Sequence, residues 1–225
     1  MTDIFITDLN EYNIPNQNLT NSISKEFYNS IYKRPIDILS SSLGRGLLSY
    51  GLKKIYKIDV DLKSLVFNKY GRPRLPGLSD TLDFNISHSG QFVVCAISDS
   101  IPVGIDIEKI KKIEIDSFKS YMTAQEYRNI IYSEKSQEEF FGYWTKKEAV
   151  LKAIGRGLSM NLNGFEIMGN ETSVEGEKYY FKEIPIHQCY KSHLAIKKNI
   201  NVRKINTVRI KIEELMRQFL PLEKR

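Results

Sequence analysis

The chain has 225 residues, enough for one large domain or two small ones with a buried core. With 41% hydrophobic and 27% charged residues it is typical of a soluble globular protein, and no segment reaches the length of a membrane span. The formal net charge of +6 favours an anionic partner, a class that includes nucleic acids, phosphorylated small molecules and acidic proteins.

The N-terminus and the cysteines predict a cytoplasmic protein. Residues 1–8 lack a basic start, a long apolar core and a small-residue cleavage site, so they do not resemble a signal peptide. Cys95 and Cys189 lie far apart in the sequence, and we expect both to be core thiols rather than a disulfide or a metal-binding pair.

The first half of the chain mixes strands with one long helix. Residues 4–6 predict a short strand, and Pro35 opens a predicted helix that runs to Leu52 with apolar residues at helical spacing. Gly44 and Gly46 weaken the helix propensity, and small residues there are expected to admit a close neighbour. Strands are predicted at 82–86 and 91–97, joined around a turn at 87–90.

A polar link that contains Pro102 is the predicted boundary between an N-terminal half, residues 1–101, and a C-terminal half, residues 102–225. In the second half, Thr123 and Glu126 have the spacing of a helix-capping box. An apolar helix is predicted over 138–154, and strands follow it. An amphipathic terminal helix is expected to dock on the core through Ile212, Leu215, Met216, Phe219 and Leu220.

Two carboxylates mark the strand predicted at 103–108. Because side chains alternate along a strand, Asp106 and Glu108 share one face while Ile105 and Ile107 pack on the other. Parallel carboxylates repel unless a cation lies between them, and oxygen ligands suit Mg²⁺. The alternative is a pair of carboxylates that face water on a solvated strand.

The apolar helix adds further charged groups. Glu148 and Lys152 are four residues apart and share a helix face at the edge of the buried stripe. Glu148 can supply a third metal ligand, and Lys147 and Lys152 can bind phosphate oxygens. The alternative is an exposed ion pair that contributes a few tenths of a kcal/mol, roughly, to stability.

The predicted turn at 87–90 places His88 between two hydroxyl side chains, Ser87 and Ser89, and before a glycine. Hydroxyls and backbone N–H groups in such a turn can bind phosphate. The alternative is a structural histidine.

Three ordered motifs together resemble the Sfp-type 4′-phosphopantetheinyl transferases. They are FNISHS at 84–89, GIDIE at 104–108 and WTKKEAVLK at 144–152. The segments YGRP at 70–73 and IEEL at 212–215 also look like that family, so the resemblance covers roughly residues 35–215. It implies an α+β fold of two pseudosymmetric α/β halves with the active site at their interface.

The resemblance implies an enzyme that transfers 4′-phosphopantetheine from coenzyme A to a serine of an apo acyl or peptidyl carrier protein, releasing 3′,5′-ADP. The carriers would serve fatty-acid, polyketide or nonribosomal-peptide synthesis and present an acidic surface. Mg²⁺ is the implied cofactor and coenzyme A the co-substrate. The implied protein is a monomer that binds neither nucleic acid nor membrane.

Residue by residue, the resemblance implies that Asp106, Glu108 and Glu148 bind Mg²⁺. Glu148 and Lys152 would be catalytic. The residues implied to contact coenzyme A are Arg72, Ser87, His88, Lys147 and Lys152.

The chain departs from the family pattern in places. Arg72 stands where many relatives have lysine, which keeps the charge but changes the hydrogen-bonding geometry. Ser40 stands where relatives have arginine, and Ser41 is a candidate for their neighbouring hydroxyl. Lys33 and Arg34 are candidates for the basic residues that relatives use in this region.

Two other functions use the same features. A Mg²⁺-dependent phosphohydrolase would use the same carboxylates to activate water instead of a carrier serine. A basic nucleic-acid-binding module would use the net charge of +6 to neutralise phosphates, although the charge is dispersed and no aromatic-basic motif is present.

Overall fold

Two four-stranded sheets form the centre of the fold. The computed structural model describes residues 1–11, 35–79, 81–99, 101–157, 160–197 and 204–216. The strands are β1 (Thr2–Asp8), β2 (Val66–Phe67), β3 (Pro73–Arg74), β4 (Leu82–Ser89), β5 (Phe92–Asp99), β6 (Val103–Lys109), β7 (Glu171–Val174), β8 (Glu177–Glu183), β9 (Tyr190–Ile196) and β10 (Ile205–Arg209). The α-helices are α1 (Pro35–Lys54), α2 (Ala124–Ile131), α3 (Ser136–Ile154) and α4 (Ile212–Met216).

The strand order is β10-β1-β5-β4 in the first sheet and β6-β9-β8-β7 in the second, and β2 and β3 form a separate pair. Only the β1–β10 pairing is parallel among these ladders in the described residues. The mixture of helices with mainly antiparallel sheets confirms the predicted α+β class.

The inner faces of the two sheets share one apolar core. Alternate residues of β1 point to opposite faces, so Ile4 and Ile6 enter this core while Phe5 packs toward α1. From the second sheet, Ile105 and Leu194 meet them. The fold therefore has four layers, with α1 outside the first sheet and α3 outside the second.

Helix α1 follows the predicted pattern closely. It begins at Pro35, and its fully buried residues are Leu43, Leu47, Leu48 and Leu52. A Cβ on Gly44 would lie 2.5 Å from Cγ2 of Ile86 on β4, which confirms the expected close neighbour. The helix can approach the sheet there because glycine has no side chain.

Helix α3 is also close to its predicted range. It ends at Ile154, and Gly155 caps it in a left-handed conformation with φ of 78°. The predicted capping box is confirmed before α2, where Thr123 accepts from the backbone N–H of Glu126 and the Glu126 carboxylate accepts from the N–H of Thr123.

The last described segment returns to the first half of the chain. Strand β10 pairs with β1, and Ile212 and Leu215 of α4 are buried in the core beneath α1. Residues 204–216 therefore complete the sheet and core built by residues 1–101. Docking of the terminal helix is confirmed for α4, whereas Phe219 and Leu220 lie outside the described residues.

Two details differ from expectation. Strand β4 extends through Ser89, so Ser87 and His88 lie in a strand rather than in the turn, which falls at Gly90 and the next residue. Cys95 is a buried core thiol as expected, but Cys189 is exposed, and neither forms a disulfide. None of the helices in the described ranges has the length and apolar character needed to cross a bilayer.

Candidate active site

The carboxylate strand β6 lies directly under helix α3. Gly104, Asp106 and Glu108 face the helix, while Ile105 and Ile107 enter the core between the sheets. The alternation predicted for these residues is therefore correct. Asp106 is only 3% exposed, so its charge needs a partner within the protein.

Lys152 of α3 supplies that partner. Its Nζ lies 2.5 Å from Oδ1 of Asp106 and donates to Oγ of Ser87 at 2.9 Å. Ser87 in turn donates to the same Asp106 oxygen at 2.9 Å. Three elements, β4, β6 and α3, thus meet in one charged cluster.

The other carboxylate oxygen of Asp106 is different. Oδ2 is buried and has no hydrogen-bond partner in the described part of the chain. A buried acceptor without a donor is costly, so such an atom calls for an unseen partner such as a cation or a donor from a ligand.

Burial and the neighbouring carboxylates shift the pKa values of Glu148 and Glu108. Burial raises the pKa of Glu148 to about 7, with further upward contributions from Asp106 and Glu108 and an opposing one from Lys152. Burial and the Asp106 charge also raise the pKa of Glu108. Hydrogen bonding from Ser89 counteracts part of that rise. The three predicted metal ligands therefore lie within electrostatic range of one another.

The donor set fits a hard cation. Within the described ranges no three carboxylate, imidazole or thiol groups stand close enough to hold an ion by themselves. Mg²⁺ usually takes only one or two protein carboxylates and completes its shell with water and phosphate oxygens. The unpartnered Oδ2 of Asp106, with Glu108 and Glu148 nearby, fits that demand.

Lys147 does not lie in this site. It is fully buried, and its Nζ contacts Glu126 at 2.9 Å and the carbonyl oxygens of Leu162 and Phe165 at 2.7 and 2.8 Å. All three of its donors are thus used within the protein. The prediction that Lys147 binds coenzyme A phosphates is wrong for this structure, because no part of the ammonium reaches solvent.

Ser87 and His88 are separated by the geometry of β4. Ser87 belongs to the charged cluster, whereas the next side chain in a strand points to the opposite face, so the partly exposed His88 does not join it. In α1, Ser40 is buried and Ser41 is half-buried. Lys33 and Arg34 lie outside the described residues.

Arg72 is 9% exposed and directs its guanidinium into the protein. It pairs with Asp83 at 2.6 Å and donates to the carbonyl oxygens of Phe84 and Val103 at 3.3 and 3.1 Å. It also donates to the carbonyl oxygens of the last helical turn of α3. Arg72 therefore lies at the junction but uses its donors internally.

A row of polar side chains on β4 was not predicted. Asp83, Asn85 and Ser89 accept from backbone N–H groups of β6 at 2.8, 2.9 and 3.1 Å. Acceptor and donor are 20 residues apart in each pair, so β4 and β6 advance in step, and the row of β4 side chains follows the backbone of β6. The alternation of polar residues at 83, 85, 87 and 89 was the available signal, because it marks a strand face that meets polar groups.

Comparison with known proteins supports one family. A family model described as the 4'-phosphopantetheinyl transferase superfamily matches residues 102–208. A 4'-phosphopantetheinyl transferase of Bacillus subtilis is 39% identical over 127 residues, and the one named Sfp from strain 168 is 37% identical over 127 residues. Each match covers 56% of this chain and 56% of the relative, so the chain spans about half the length of these curated relatives.

A longer match covers more of the chain. The 4'-phosphopantetheinyl transferase gsp of Aneurinibacillus migulanus is 36% identical over 173 residues, covering 73% of this chain and 70% of that protein. The motifs on β4, β6 and α3 that carry the resemblance are the ones that the fold brings together. On this identity and coverage, the chain belongs to the Sfp-type 4′-phosphopantetheinyl transferase family.

Proposed function

We propose that this protein transfers the 4′-phosphopantetheine group of coenzyme A to a serine of an apo acyl or peptidyl carrier protein. The observation that carries the proposal is the cluster of Lys152, Asp106 and Ser87 beside Glu148. In this cluster the Lys152 ammonium, which can bind phosphate, lies beside carboxylates that suit a metal ion. The cluster lies at the junction of the proposed halves 1–101 and 102–225. Membership of the family supports the choice of reaction.

The three carboxylates are proposed to hold Mg²⁺. Asp106 offers its unpartnered Oδ2, and Glu108 and Glu148 lie within electrostatic range. When bound, Mg²⁺ would neutralise pyrophosphate charge and stabilise the negative charge on the leaving group. Lys152 can then keep its contact with Asp106 or move its ammonium to a phosphate oxygen.

Glu148 is the proposed base. In the protein without a bound cation, burial raises the pKa of Glu148 to about 7, and a cation held by the same carboxylate would lower it. The serine hydroxyl gives its proton to Glu148, or to a water that Glu148 orients, as its oxygen attacks the β-phosphorus. The bond from that phosphorus to the bridging oxygen breaks, and 3′,5′-ADP leaves with the electron pair. Lys152 stabilises the charge that develops on the phosphate oxygens.

Binding of the two substrates follows from charge. Ser87, beside Lys152, and His88, on the opposite face of β4, are each proposed to contact the nucleotide end of coenzyme A. The net charge of +6 would attract an acidic carrier surface, an effect that weakens with salt. We propose a cytoplasmic monomer that serves carriers of fatty-acid, polyketide or nonribosomal-peptide synthesis, with no nucleic-acid or membrane partner.

Weighing the carrier protein tests the proposal. The full chain is incubated with coenzyme A, Mg²⁺ and an apo carrier protein, and mass spectrometry follows the carrier. We expect the carrier to gain one phosphopantetheine, a gain that is lost with a chelator and restored by Mg²⁺. An unmodified carrier with cleaved coenzyme A would instead indicate a phosphohydrolase. An unmodified carrier with intact coenzyme A and salt-sensitive nucleic-acid binding would indicate a binding module.

A further inference from the structure

Arg72 is 9% exposed, and its contacts join β4, β6 and α3, the three elements that carry the cluster of Lys152, Asp106 and Ser87. We infer that Arg72, with Asp83, is a positioning residue that fixes the end of α3 against β4 and β6, so that Lys152 reaches Asp106. The inference rests on the proposed function, and it assigns Arg72 an internal role in place of the coenzyme A contact expected from the sequence.

The contacts of the guanidinium carry the first step. One terminal nitrogen donates to the carbonyl oxygens of Lys152 and Ala153, and the other donates to Asp83, Phe84 and Val103. Positive charge at the carboxyl end of a helix is favourable because the last carbonyl groups carry partial negative charge. Arg72 therefore holds the last turn of α3 through two backbone carbonyl groups that have no hydrogen-bond donor within the helix itself.

Asp83 carries the second step. Its Oδ2 accepts both from Arg72 at 2.6 Å and from the backbone N–H of Val103 at 2.8 Å. The start of β6 is thus tied to β4 through the same carboxylate that orients the guanidinium. A planar guanidinium with several donors in fixed directions suits this many-sided contact better than an ammonium does.

The third step is the distance from this junction to the site. On each strand, the residue that contacts Arg72 lies only a few positions before the residue of the charged cluster. Val103 precedes Asp106 on β6, and Asp83 precedes Ser87 on β4. On α3 the backbone carbonyl of Lys152 is itself a contact, while its Nζ binds Asp106. A shift of the helix end would therefore move Lys152 away from Asp106 directly.

Direct contact with a ligand is the competing role. Arg72 and Asp83 border a cavity of about 370 Å³ that coenzyme A could enter. The internal contacts already use the donors of both terminal nitrogens of Arg72, so a phosphate would have to compete with Asp83 and four carbonyl groups. Kinetics separate the two roles, because loss of a binding contact raises KM while loss of positioning lowers kcat.

The test compares Arg72→Met, Arg72→Lys and Asp83→Asn with Lys69→Met. Lys69 is exposed on the same β2–β3 hairpin, so its variant is matched for loss of one positive charge. For Arg72→Met we expect kcat to fall by about 10- to 100-fold with little change in KM for coenzyme A. The kcat of Arg72→Lys should lie between the kcat of Arg72→Met and that of the wild type. The kcat and KM of Lys69→Met should match those of the wild type.

Hydrogen–deuterium exchange gives a readout that needs no activity. If Arg72 holds the helix end, Arg72→Met and Asp83→Asn will both exchange faster at the amides of residues 151–155, with unchanged protection in β5. If Arg72→Met does not fold, Asp83→Asn provides both readouts, with a smaller loss because asparagine still offers an oxygen to Val103.

The outcomes are distinct. A rise in KM for coenzyme A with unchanged kcat, or unchanged exchange at 151–155, would overturn the positioning role. If the wild type transfers no phosphopantetheine at all, the proposed function fails, and the exchange data still decide whether Arg72 and Asp83 hold α3 in place.

Discussion

Gly104 of β6 lies directly against the backbone of Ala149 on α3. A Cβ built on Gly104 would overlap the carbonyl oxygen of Ala149 and lie 2.5 Å from the amide nitrogen of Ala153. Both neighbours are backbone atoms of a helix, so neither can move without moving the helix. This contact sets how closely Glu148 and Lys152 approach Asp106.

The first prediction is that Gly104→Ala separates the helix from the strand. We expect a loss of about 1–3 kcal/mol or more in the free energy of unfolding, because overpacking here strains backbone rather than a side chain. Transfer activity should fall by about 100-fold, since small displacements of catalytic groups are costly. Urea denaturation and the carrier-modification assay measure the two effects.

Gly142→Ala is the matched control for that variant. Among the described residues, no atom lies within 4 Å of a Cβ built at Gly142, and the residue lies inside the same helix. Alanine should therefore leave activity unchanged and stabilise the protein by up to about 1 kcal/mol. Equal effects of the two substitutions would show that the contact of Gly104 with α3 is not what matters.

The second prediction concerns the buried pair of Lys147 and Glu126. Burial lowers the pKa of Lys147 while Glu126 opposes that shift, and the pair links α3 to the start of α2. Lys147→Met leaves Glu126 buried without its cation, so we expect a loss of about 3–5 kcal/mol in the free energy of unfolding.

A double-mutant cycle tests that interpretation. Lys147→Met combined with Glu126→Gln should lose less than the sum of the single variants, with a coupling of about 1 kcal/mol or more. Lys178→Met is the surface control, because Lys178 pairs with Glu171 at 3.7 Å in an exposed position. It should change stability by about 0.5 kcal/mol or less. Strictly additive effects of the Lys147 and Glu126 variants would contradict the pairing.

The third prediction is an acid sensitivity caused by His193. Burial, with smaller contributions from Lys146 and Lys191, lowers the pKa of His193 to about 3, and its Nδ1 lies 2.7 Å from Oγ1 of Thr145. The unfolded chain binds a proton below its ordinary value of 6.5, while the folded protein does not until about pH 3. Stability should therefore fall as pH drops from about 6.5 toward 3.

The slope of stability against pH is the measurement. The contribution of this one histidine is at most about 1.4 kcal/mol per pH unit. His193→Gln should have a shallower slope in this range even if it is less stable at pH 7 through altered contact with Thr145. An identical slope in both proteins would show that another group causes the acid sensitivity.

The fourth prediction is that Glu148→Gln lowers kcat by about 100-fold or more while the fold is retained. Glutamine has the same shape but can neither accept the serine proton nor offer a charged metal ligand. Glu139→Gln is the control, because Glu139 is exposed on the same helix. Near-normal turnover of Glu148→Gln, with unchanged far-ultraviolet circular dichroism, would remove Glu148 from both proposed roles.

Local patterns in the sequence determined most of the elements and the nature of the chemistry. The spacing of apolar residues located α1 and α3, and the alternation around Asp106 and Glu108 correctly assigned their face. Thr123 and Glu126 also formed the predicted cap. These features depend on interactions between residues close in the chain, so their periodicity is visible in the sequence.

Tertiary structure decided which of the charged residues belong to the site. Lys147 and Lys152 look equivalent in the sequence, yet one is buried against Glu126 and the other binds Asp106. Neighbouring residues on a helix point in different directions, and only packing shows which direction meets water, a carboxylate or a core.

The contacts that join β4, β6 and α3 were likewise not visible in the sequence. Arg72 and Asp83 contact the ends of elements that lie up to 81 residues away along the chain, and Gly104 is required by a helix that begins 32 residues later. The sequence by itself determined the family motifs and the charged groups available for catalysis. Only the folded structure decided which residues these groups contact. Such contacts join residues that are far apart in the chain, and no repeating pattern in the sequence marks them.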